Sequence, residues 1–248
     1  MCRHLAYLGS PIRLSALLHD PPHALSHQSW APADMRGGGT VNADGFGVAW
    51  TQGDAEPVRY RRAQPLWSDA ALPALAAATS SGCVLAAVRS ATEGMPVTET
   101  AAAPFQEGRW LFSHNGVVRG WPASVAKLAS RLPTTDLITL DAPTDSALLW
   151  ALVRDRLRAG DTPADAIAGV LAETDAAAPG SRLNLLLTDG DQIIATTAGH
   201  SLSVRTTADS VLVASEPLDD DPAWTPVPDR HLLIATPTTV TTTPLGRP

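Results

Sequence analysis

The 248-residue sequence has almost no lysine and no cluster of basic residues. Lys127 is its single lysine, and 25 acidic residues exceed 18 Lys and Arg residues to give a formal net charge of −7. Proteins that bind nucleic acid use a basic patch to neutralise phosphates. The composition therefore argues against nucleic acid as the main partner.

Long apolar runs and cysteine pairs are also scarce. No segment approaches the roughly 18 to 20 consecutive apolar residues that cross a bilayer, and Met1–Gly9 lacks the apolar core of a signal peptide. The two cysteines, Cys2 and Cys83, are too few for a disulfide scaffold. We therefore expect a cytoplasmic protein with reduced thiols and no membrane partner.

Apolar residues make up 44% of the chain and charged residues 17%, a balance typical of a globular protein with a sizeable core. Short apolar runs predict strands at His4–Leu8, Gly47–Trp50, Val58–Arg61, Cys83–Val88, Arg109–Phe112, Leu183–Leu187, Gln192–Thr196 and Ser210–Val213. Helices are predicted at about Asp69–Ala78, Pro122–Leu132, Asp145–Ala159 and Pro163–Glu173, and a final edge strand within Thr236–Pro248. Strands that follow one another in hairpin-like pairs predict an α+β layered fold with antiparallel sheets.

Cys2 follows the initiator methionine, and excision of Met1 would make it the N-terminal residue. An N-terminal cysteine carries a thiol and an α-amine, and the amine has a reference pKa of about 7.7 to 8.0. Nucleophile and general base would then belong to one residue. The alternative is that a cysteine at this position is incidental.

Ser113-His114-Asn115-Gly116 follows the apolar run Trp110–Phe112. The side-chain amide of Asn115 and the backbone N–H of Gly116 could both donate to an oxyanion. The alternative is an ordinary Asn-Gly turn.

Two charged residues stand where predicted elements meet loops. Arg89 ends the strand at Cys83–Val88, and a guanidinium suits a substrate carboxylate, although it could be a surface charge. Asp145 opens a predicted helix behind Thr144, a plausible N-cap. Its carboxylate could hold a substrate ammonium or complement the helix dipole.

The order and spacing of these segments resemble the class II glutamine amidotransferases, which are N-terminal-nucleophile (Ntn) hydrolases. The matching segments are Cys2, Asn42–Gly47, Arg89–Thr92, His114–Gly116 and Thr144–Ser146, roughly residues 2 to 150. The resemblance implies a four-layer αββα sandwich with two stacked, mostly antiparallel sheets. One departure is Ala103-Pro104-Phe105, where many members of the family have His-Pro-Phe.

The resemblance also implies a role for each matching residue. Cys2 is the nucleophile, its own amine the base, and Asn115 with Gly116 the oxyanion hole. The substrate is a small γ-glutamyl molecule, bound through Arg89, Asp145, Thr92 and His114. It implies no cofactor and no metal. Three histidines spaced by four residues near Pro21 and Pro22 do not change this expectation, because the prolines interrupt the helix that would align them.

Further stretches resemble one branch of the family, the γ-glutamyl hydrolases of ergothioneine biosynthesis. They are Met1–Leu8, Asp20–Pro22, Cys83–Thr92, Gly94–Pro96, Ala103–Phe105, Ala214–Pro217, Asp219–Trp224 and Pro228–Leu232. This resemblance implies hydrolysis of a γ-glutamyl amide of hercynylcysteine S-oxide, through a thioester on Cys2. We expect a single domain over residues 2–248, with Met1 removed and no obligatory protein partner.

Two other interpretations stay open. One is a glutaminase subunit that supplies ammonia to a separate synthase; it is disfavoured because no synthase domain follows in the 248 residues. The other is a non-catalytic binding protein with a decayed site. The intact set of Cys2, Arg89, Asn115, Gly116 and Asp145 disfavours that interpretation.

Overall fold

Two antiparallel sheets lie at the centre of the computed structural model, which describes residues 2–36, 41–53 and 55–246. Numbered in chain order, the strands of the first sheet lie side by side as β11 (Thr225–Pro226), β9 (Ser203–Thr206), β10 (Ser210–Ala214), β1 (Arg3–Arg13), β4 (Ser80–Val88), β2 (Phe46–Trp50) and β3 (Val58–Arg62). The second sheet runs β13 (Thr239–Pro244), β12 (His231–Thr236), β8 (Ile193–Thr197), β7 (Arg182–Thr188), β6 (Trp110–Val117) and β5 (Phe105–Glu107).

Helices cover the outer face of each sheet. Against the first sheet pack α1 (Ser15–Leu18), α2 (Leu25–Gln28) and α3 (Leu72–Ala78), and against the second α4 (Ala126–Ala129), α5 (Thr134–Ile138), α6 (Asp145–Arg158) and α7 (Pro163–Ala177). A third apolar cluster lies between the sheets, where Ala6 and Leu8 meet Leu111 and Leu186. The expected αββα sandwich is therefore confirmed.

The alternation of β1 explains how the chain start reaches the gap between the sheets. Leu5 and Tyr7 pack towards the helices, whereas Ala6 and Leu8 pack between the sheets. His4 follows the same alternation, and its Nδ1 lies 3.1 Å from the Ser113 hydroxyl of β6. The residue before β1 therefore lies at the mouth of the inter-sheet gap.

The long helices begin where their capping residues predict. The Thr144 side chain accepts a hydrogen bond from Ala147 N at 3.2 Å, and the Thr162 hydroxyl accepts one from Asp165 N at 3.1 Å. Gly160 follows α6 with φ of 96°, as a C-terminal glycine does. The predicted hairpin is also present, because β7 pairs antiparallel with β8.

Two predicted helices are shorter than expected. The segment from Asp69 becomes helical only at Leu72, because the Asp69 carboxylate accepts from Ala71 N and Leu72 N and forms a turn ahead of the helix. The predicted helix at Pro122–Leu132 is broken into a 3₁₀ turn and the four-residue α4. The Ser124 and Ser130 hydroxyls bond to backbone carbonyls there and compete with helical bonds.

Several short strands escaped the sequence prediction. They are β5, β9, β11 and β12. The predicted edge strand within Thr236–Pro248 is present as β13, whereas residues 247 and 248 lie outside the described part of the chain. Among the residues described, no helix has both the length and the apolar character needed to cross a membrane.

Candidate active site

Cys2 lies partly buried at the mouth of the inter-sheet gap, with its Sγ 3.8 Å from the Ser90 carbonyl oxygen. The cavity beside it is lined by residues of both sheets and of the first turn of α6. Arg89, Ser113, His114 and Ser146 are among the lining residues. The structure thus brings three predicted site residues, Cys2, Arg89 and His114, to one cavity.

Arg89 is 9% exposed, so it is not a surface charge at a strand end. Its Nη1 donates to the Pro96 carbonyl at 2.9 Å and to the Asp44 carbonyl at 3.5 Å. These partners are neutral, so the contacts orient the guanidinium without neutralising its charge. Asp44, whose role the sequence did not reveal, also accepts from Ala91 N at 2.8 Å and so holds the segment after Arg89 in place.

The Asn115-Gly116 pair lies inside β6, opposite Asn184 and Leu183 of β7, so the alternative of an Asn-Gly turn is wrong. Asn115 is 1% exposed, and its Nδ2 donates to the Ser215 hydroxyl at 3.4 Å. A Cβ at Gly116 would lie 1.8 Å from the Arg182 carbonyl oxygen. Only glycine therefore fits at position 116, the residue whose N–H is a predicted donor of the oxyanion hole.

Hydrogen bonds hold the His114 imidazole at both ring nitrogens. Its Nε2 lies 3.0 Å from the Arg182 carbonyl oxygen, which can only accept, so Nε2 carries a proton. Its Nδ1 lies 3.0 Å from the Ser146 hydroxyl. Both ring nitrogens are thus engaged within the protein, and a contact with substrate would have to come from the ring face or edge.

Asp145 is buried at the first position of α6. One carboxylate oxygen accepts from Val118 N at 2.9 Å and the other from Ser146 N at 2.7 Å. These bonds fix the loop after β6 against the helix. Oδ1 also lies 3.4 Å from the Ser146 hydroxyl, so the free lone pair that could accept from a ligand ammonium is on Oδ2.

Thr92 lies apart from the cavity beside Cys2. It is exposed and lines a second cavity of about 470 Å³, together with Val118, Trp121 and Pro143. Two of its lining residues are close to predicted site residues. Thr92 lies three residues after Arg89 in the sequence, and Val118 N donates a hydrogen bond to Asp145. Thr92 therefore lines a cavity next to the segments that carry Arg89 and Asp145, and not the cavity beside the thiol.

A buried ion pair behind the nucleophile was not predicted. The Arg3 guanidinium donates to the Cys2 carbonyl at 3.1 Å and pairs with Glu216, and both side chains are almost fully buried. The other Glu216 oxygen accepts from Ala33 N at 2.6 Å and Asp34 N at 3.2 Å. Removing one member of such a pair leaves a buried charge without a partner, so this group is a rigid anchor for the start of β1.

Two other imidazoles are buried close to the site. Burial lowers the pKa of His4 to about 3, with nearby His114, His200 and Arg3 lowering it further. The pKa of His200 is likewise lowered to about 3, first by burial and then by Arg182. Both imidazoles are therefore neutral at neutral pH.

These two histidines predict an acid-sensitive fold. Their ordinary pKa of 6.5 in the unfolded chain exceeds about 3 in the folded protein, so between those pH values the unfolded chain binds more protons. Stability should be fully present above pH 6.5 and fall below it, by up to about 1.4 kcal/mol per pH unit for each histidine. Urea unfolding followed from pH 7.5 down to pH 4 measures the slope.

The His4→Gln variant should lose part of this slope. Ser113→Ala is the matched control, because it removes the hydrogen bond to His4 but keeps the imidazole, and its slope should equal that of the wild type. Equal slopes for the wild type and His4→Gln would contradict the assignment.

Known proteins resemble this chain over most or all of its length. The family model described as glutamine amidotransferases class-II matches residues 13–209. A γ-glutamyl-hercynylcysteine sulfoxide hydrolase of Mycolicibacterium smegmatis is 44% identical, covering 99% of this chain and 100% of that protein. A protein of the same name from Mycobacterium tuberculosis is 43% identical over 100% of this chain and 98% of that protein.

Solved structures share the fold. A glutamine aminotransferase class-II domain protein from Silicibacter pomeroyi superimposes with a TM-score of 0.71 and 26% identity, covering 99% of this chain and 100% of that one. The phosphoribosylpyrophosphate amidotransferase of B. subtilis superimposes with a TM-score of 0.66 over 99% of this chain and 49% of that chain; at 16% identity it supports the fold alone. The chain belongs to the class II glutamine amidotransferases.

Proposed function

We propose that the protein hydrolyses the γ-glutamyl amide bond of γ-glutamyl-hercynylcysteine S-oxide and releases glutamate and hercynylcysteine S-oxide. One observation carries the proposal: a partly buried thiol at position 2 and a buried, oriented guanidinium at Arg89 line the same cavity. The relatives that match this chain over its full length bear the name of that activity.

The first half of the reaction transfers the glutamyl group to sulfur. After Met1 is removed, the α-amine of Cys2 takes the thiol proton and Sγ attacks the γ-carbonyl carbon. Asn115 Nδ2 and Gly116 N–H stabilise the oxyanion. The proton then passes from the amine to the leaving nitrogen, the C–N bond breaks, and a thioester remains on Cys2.

The second half regenerates the thiol. A water molecule gives a proton to the α-amine and attacks the thioester carbon, and the C–S bond breaks as the proton returns to sulfur. Glutamate leaves with both oxygens of its γ-carboxylate in place. Every proton transfer uses the amine of Cys2, so the reaction needs no metal ion.

Substrate recognition is assigned to the groups around the cavity. Arg89 binds the α-carboxylate of the glutamyl group, since a guanidinium can make two parallel bonds to it. Asp145 binds the α-ammonium through the remaining lone pair of Oδ2, and Thr92 contacts the same group from the second cavity. His114 acts by holding Ser146 and by presenting its ring to the cavity.

We also propose that residues 2–248 work as one domain without an obligatory protein partner. The enzyme is assigned to the cytoplasm, because both cysteines are free and the reaction needs a reduced thiol at Cys2. Fractionation of the source cells tests the location, and a full-length chain that is active as purified tests the need for a partner.

A substrate assay tests the reaction. Purified protein that begins at Cys2 should release glutamate from γ-glutamyl-hercynylcysteine S-oxide with a kcat/KM at least about 100-fold above that for free glutamine, because only the larger amide fills the site beyond the scissile bond. Glutamate release is followed with a coupled dehydrogenase assay. Comparable turnover of free glutamine would contradict the proposal and favour the ammonia-supplying alternative.

A further inference from the structure

Ser215 occupies a fully buried position directly after β10, where the first sheet meets β6 of the second. Its hydroxyl oxygen accepts from His4 N at 3.0 Å and donates to the His4 carbonyl at 3.2 Å. The same oxygen accepts from Asn115 Nδ2 at 3.4 Å. One hydroxyl thus joins the strand that follows the nucleophile to the side chain of the proposed oxyanion hole.

The hydrogen-bond capacity of this hydroxyl decides which way the Asn115 amide faces. A serine hydroxyl has one proton and two lone pairs. The hydroxyl donates its proton to the His4 carbonyl and accepts from His4 N with one lone pair. Its second lone pair therefore faces Asn115. Only the NH₂ end of the amide can bond to it.

Nothing else in the described residues holds the amide in that orientation. Asn115 Oδ1 is buried and has no protein hydrogen-bond partner within residues 2–36, 41–53 and 55–246. The Asn115 side chain therefore depends on Ser215 for its direction. With one amide N–H bound to Ser215, the second N–H of the same nitrogen stays available to a ligand oxyanion.

We propose that Ser215 is a positioning residue of the oxyanion hole. It fixes the orientation of the Asn115 side-chain amide relative to β1, the strand that follows Cys2. This inference rests on the proposed function, since it assumes an acyl-transfer reaction at Cys2. Ser215 does not touch the reacting atoms and acts through Asn115. Its loss should therefore affect the transition state more than the binding of the substrate.

Ser81 provides a matched control in the same sheet. It is also buried, and its hydroxyl bridges backbone groups in the same manner: it accepts from Cys83 N at 3.1 Å, and its one proton can go to the Thr51 or the Cys83 carbonyl, each at 2.8 Å. It lies at the opposite end of β4 from Arg89. Ser81→Ala should therefore lose stability as Ser215→Ala does, but it should keep its activity.

The experiment compares kcat and KM for four proteins: the wild type, Ser215→Ala, Asn115→Ala and the double variant. Ser215→Ala should lower kcat about 10- to 100-fold with KM changed less than about threefold, and Asn115→Ala should lower kcat about 100- to 1,000-fold. The double variant should lose no more than Asn115→Ala alone, because both changes remove the same donor. Alkylation of Cys2 by iodoacetamide should be as fast in Ser215→Ala as in the wild type.

Two results would overturn the proposal. One is a folded Ser215→Ala variant with the kcat of Ser81→Ala; the other is a double variant in which the two losses multiply. Failure of the proposed function would look different, because the wild type itself would then release no glutamate from γ-glutamyl-hercynylcysteine S-oxide or would turn over free glutamine comparably. A Ser215→Ala variant too unstable to assay is replaced by Ser215→Cys, whose weaker acceptor should give an intermediate loss of kcat.

Discussion

Replacing Cys2 with alanine should abolish turnover while leaving the glutamyl-binding groups intact. The thiol is the only nucleophile that the mechanism uses, and removing the nucleophile of an acyl-transfer enzyme costs about 10⁴-fold or more in kcat. Arg89 and Asp145 are held by backbone groups of other segments, so their positions do not depend on the thiol. The variant should still bind glutamate.

Cys83 cannot replace the missing thiol. It is 4% exposed within the apolar cluster between the sheets, and burial raises the pKa of its thiol to about 11. A protonated, enclosed thiol is a poor nucleophile. The control variant Cys83→Ala should keep its activity, which separates the chemistry of position 2 from a general effect of cysteine loss.

The measurement combines turnover with trapping of the intermediate. Wild-type enzyme supplied with hydroxylamine should form γ-glutamyl hydroxamate from the thioester, and Cys2→Ala should form none. Binding of glutamate to the variant is measured by calorimetry. Residual turnover of Cys2→Ala within about tenfold of the wild type would rule out the thioester mechanism.

The sequence predicts those parts of the site that depend on local signals. A helix N-cap needs only a side-chain acceptor and the backbone N–H groups of the next residues. Thr144 has such an acceptor, so the position of Asp145 at the start of α6 could be predicted from the sequence. Arg89 ends a strand whose apolar run is visible in the chain. The order of Cys2, Arg89, Asn115 and Asp145 along the chain indicated the family, and the family implied the αββα sandwich.

Contacts between distant segments could not be predicted in this way. Ser215 and His4 are 211 residues apart, and the sequence around a single serine or histidine does not predict a contact over that distance. The ion pair of Arg3 with Glu216 could not be predicted for the same reason, since its partners come from opposite ends of the chain. The Asn-Gly pair was also ambiguous, because its strand conformation depends on pairing with β7, which no local signal can show.

The enzyme should be inactive while any residue precedes Cys2. In that form the nitrogen of Cys2 is an amide, which cannot accept a proton near neutral pH, so thiol and base are no longer combined. Loss of a positioned general base costs about 10²- to 10⁴-fold in rate. The free α-amine, with a reference pKa of about 7.7 to 8.0, would restore the base.

The test uses one protein in two states. The chain is produced behind a cleavable partner whose specific protease leaves Cys2 as the first residue, and glutamate release is assayed before and after cleavage, with intact mass confirming the N-terminus. Activity should appear only after cleavage, and cleaved Cys2→Ala should stay inactive. Equal activity in the uncleaved fusion would show that another group serves as base. The His114 imidazole lines the same cavity, but both of its ring nitrogens are engaged in hydrogen bonds within the protein, which favours the α-amine of Cys2 as the base.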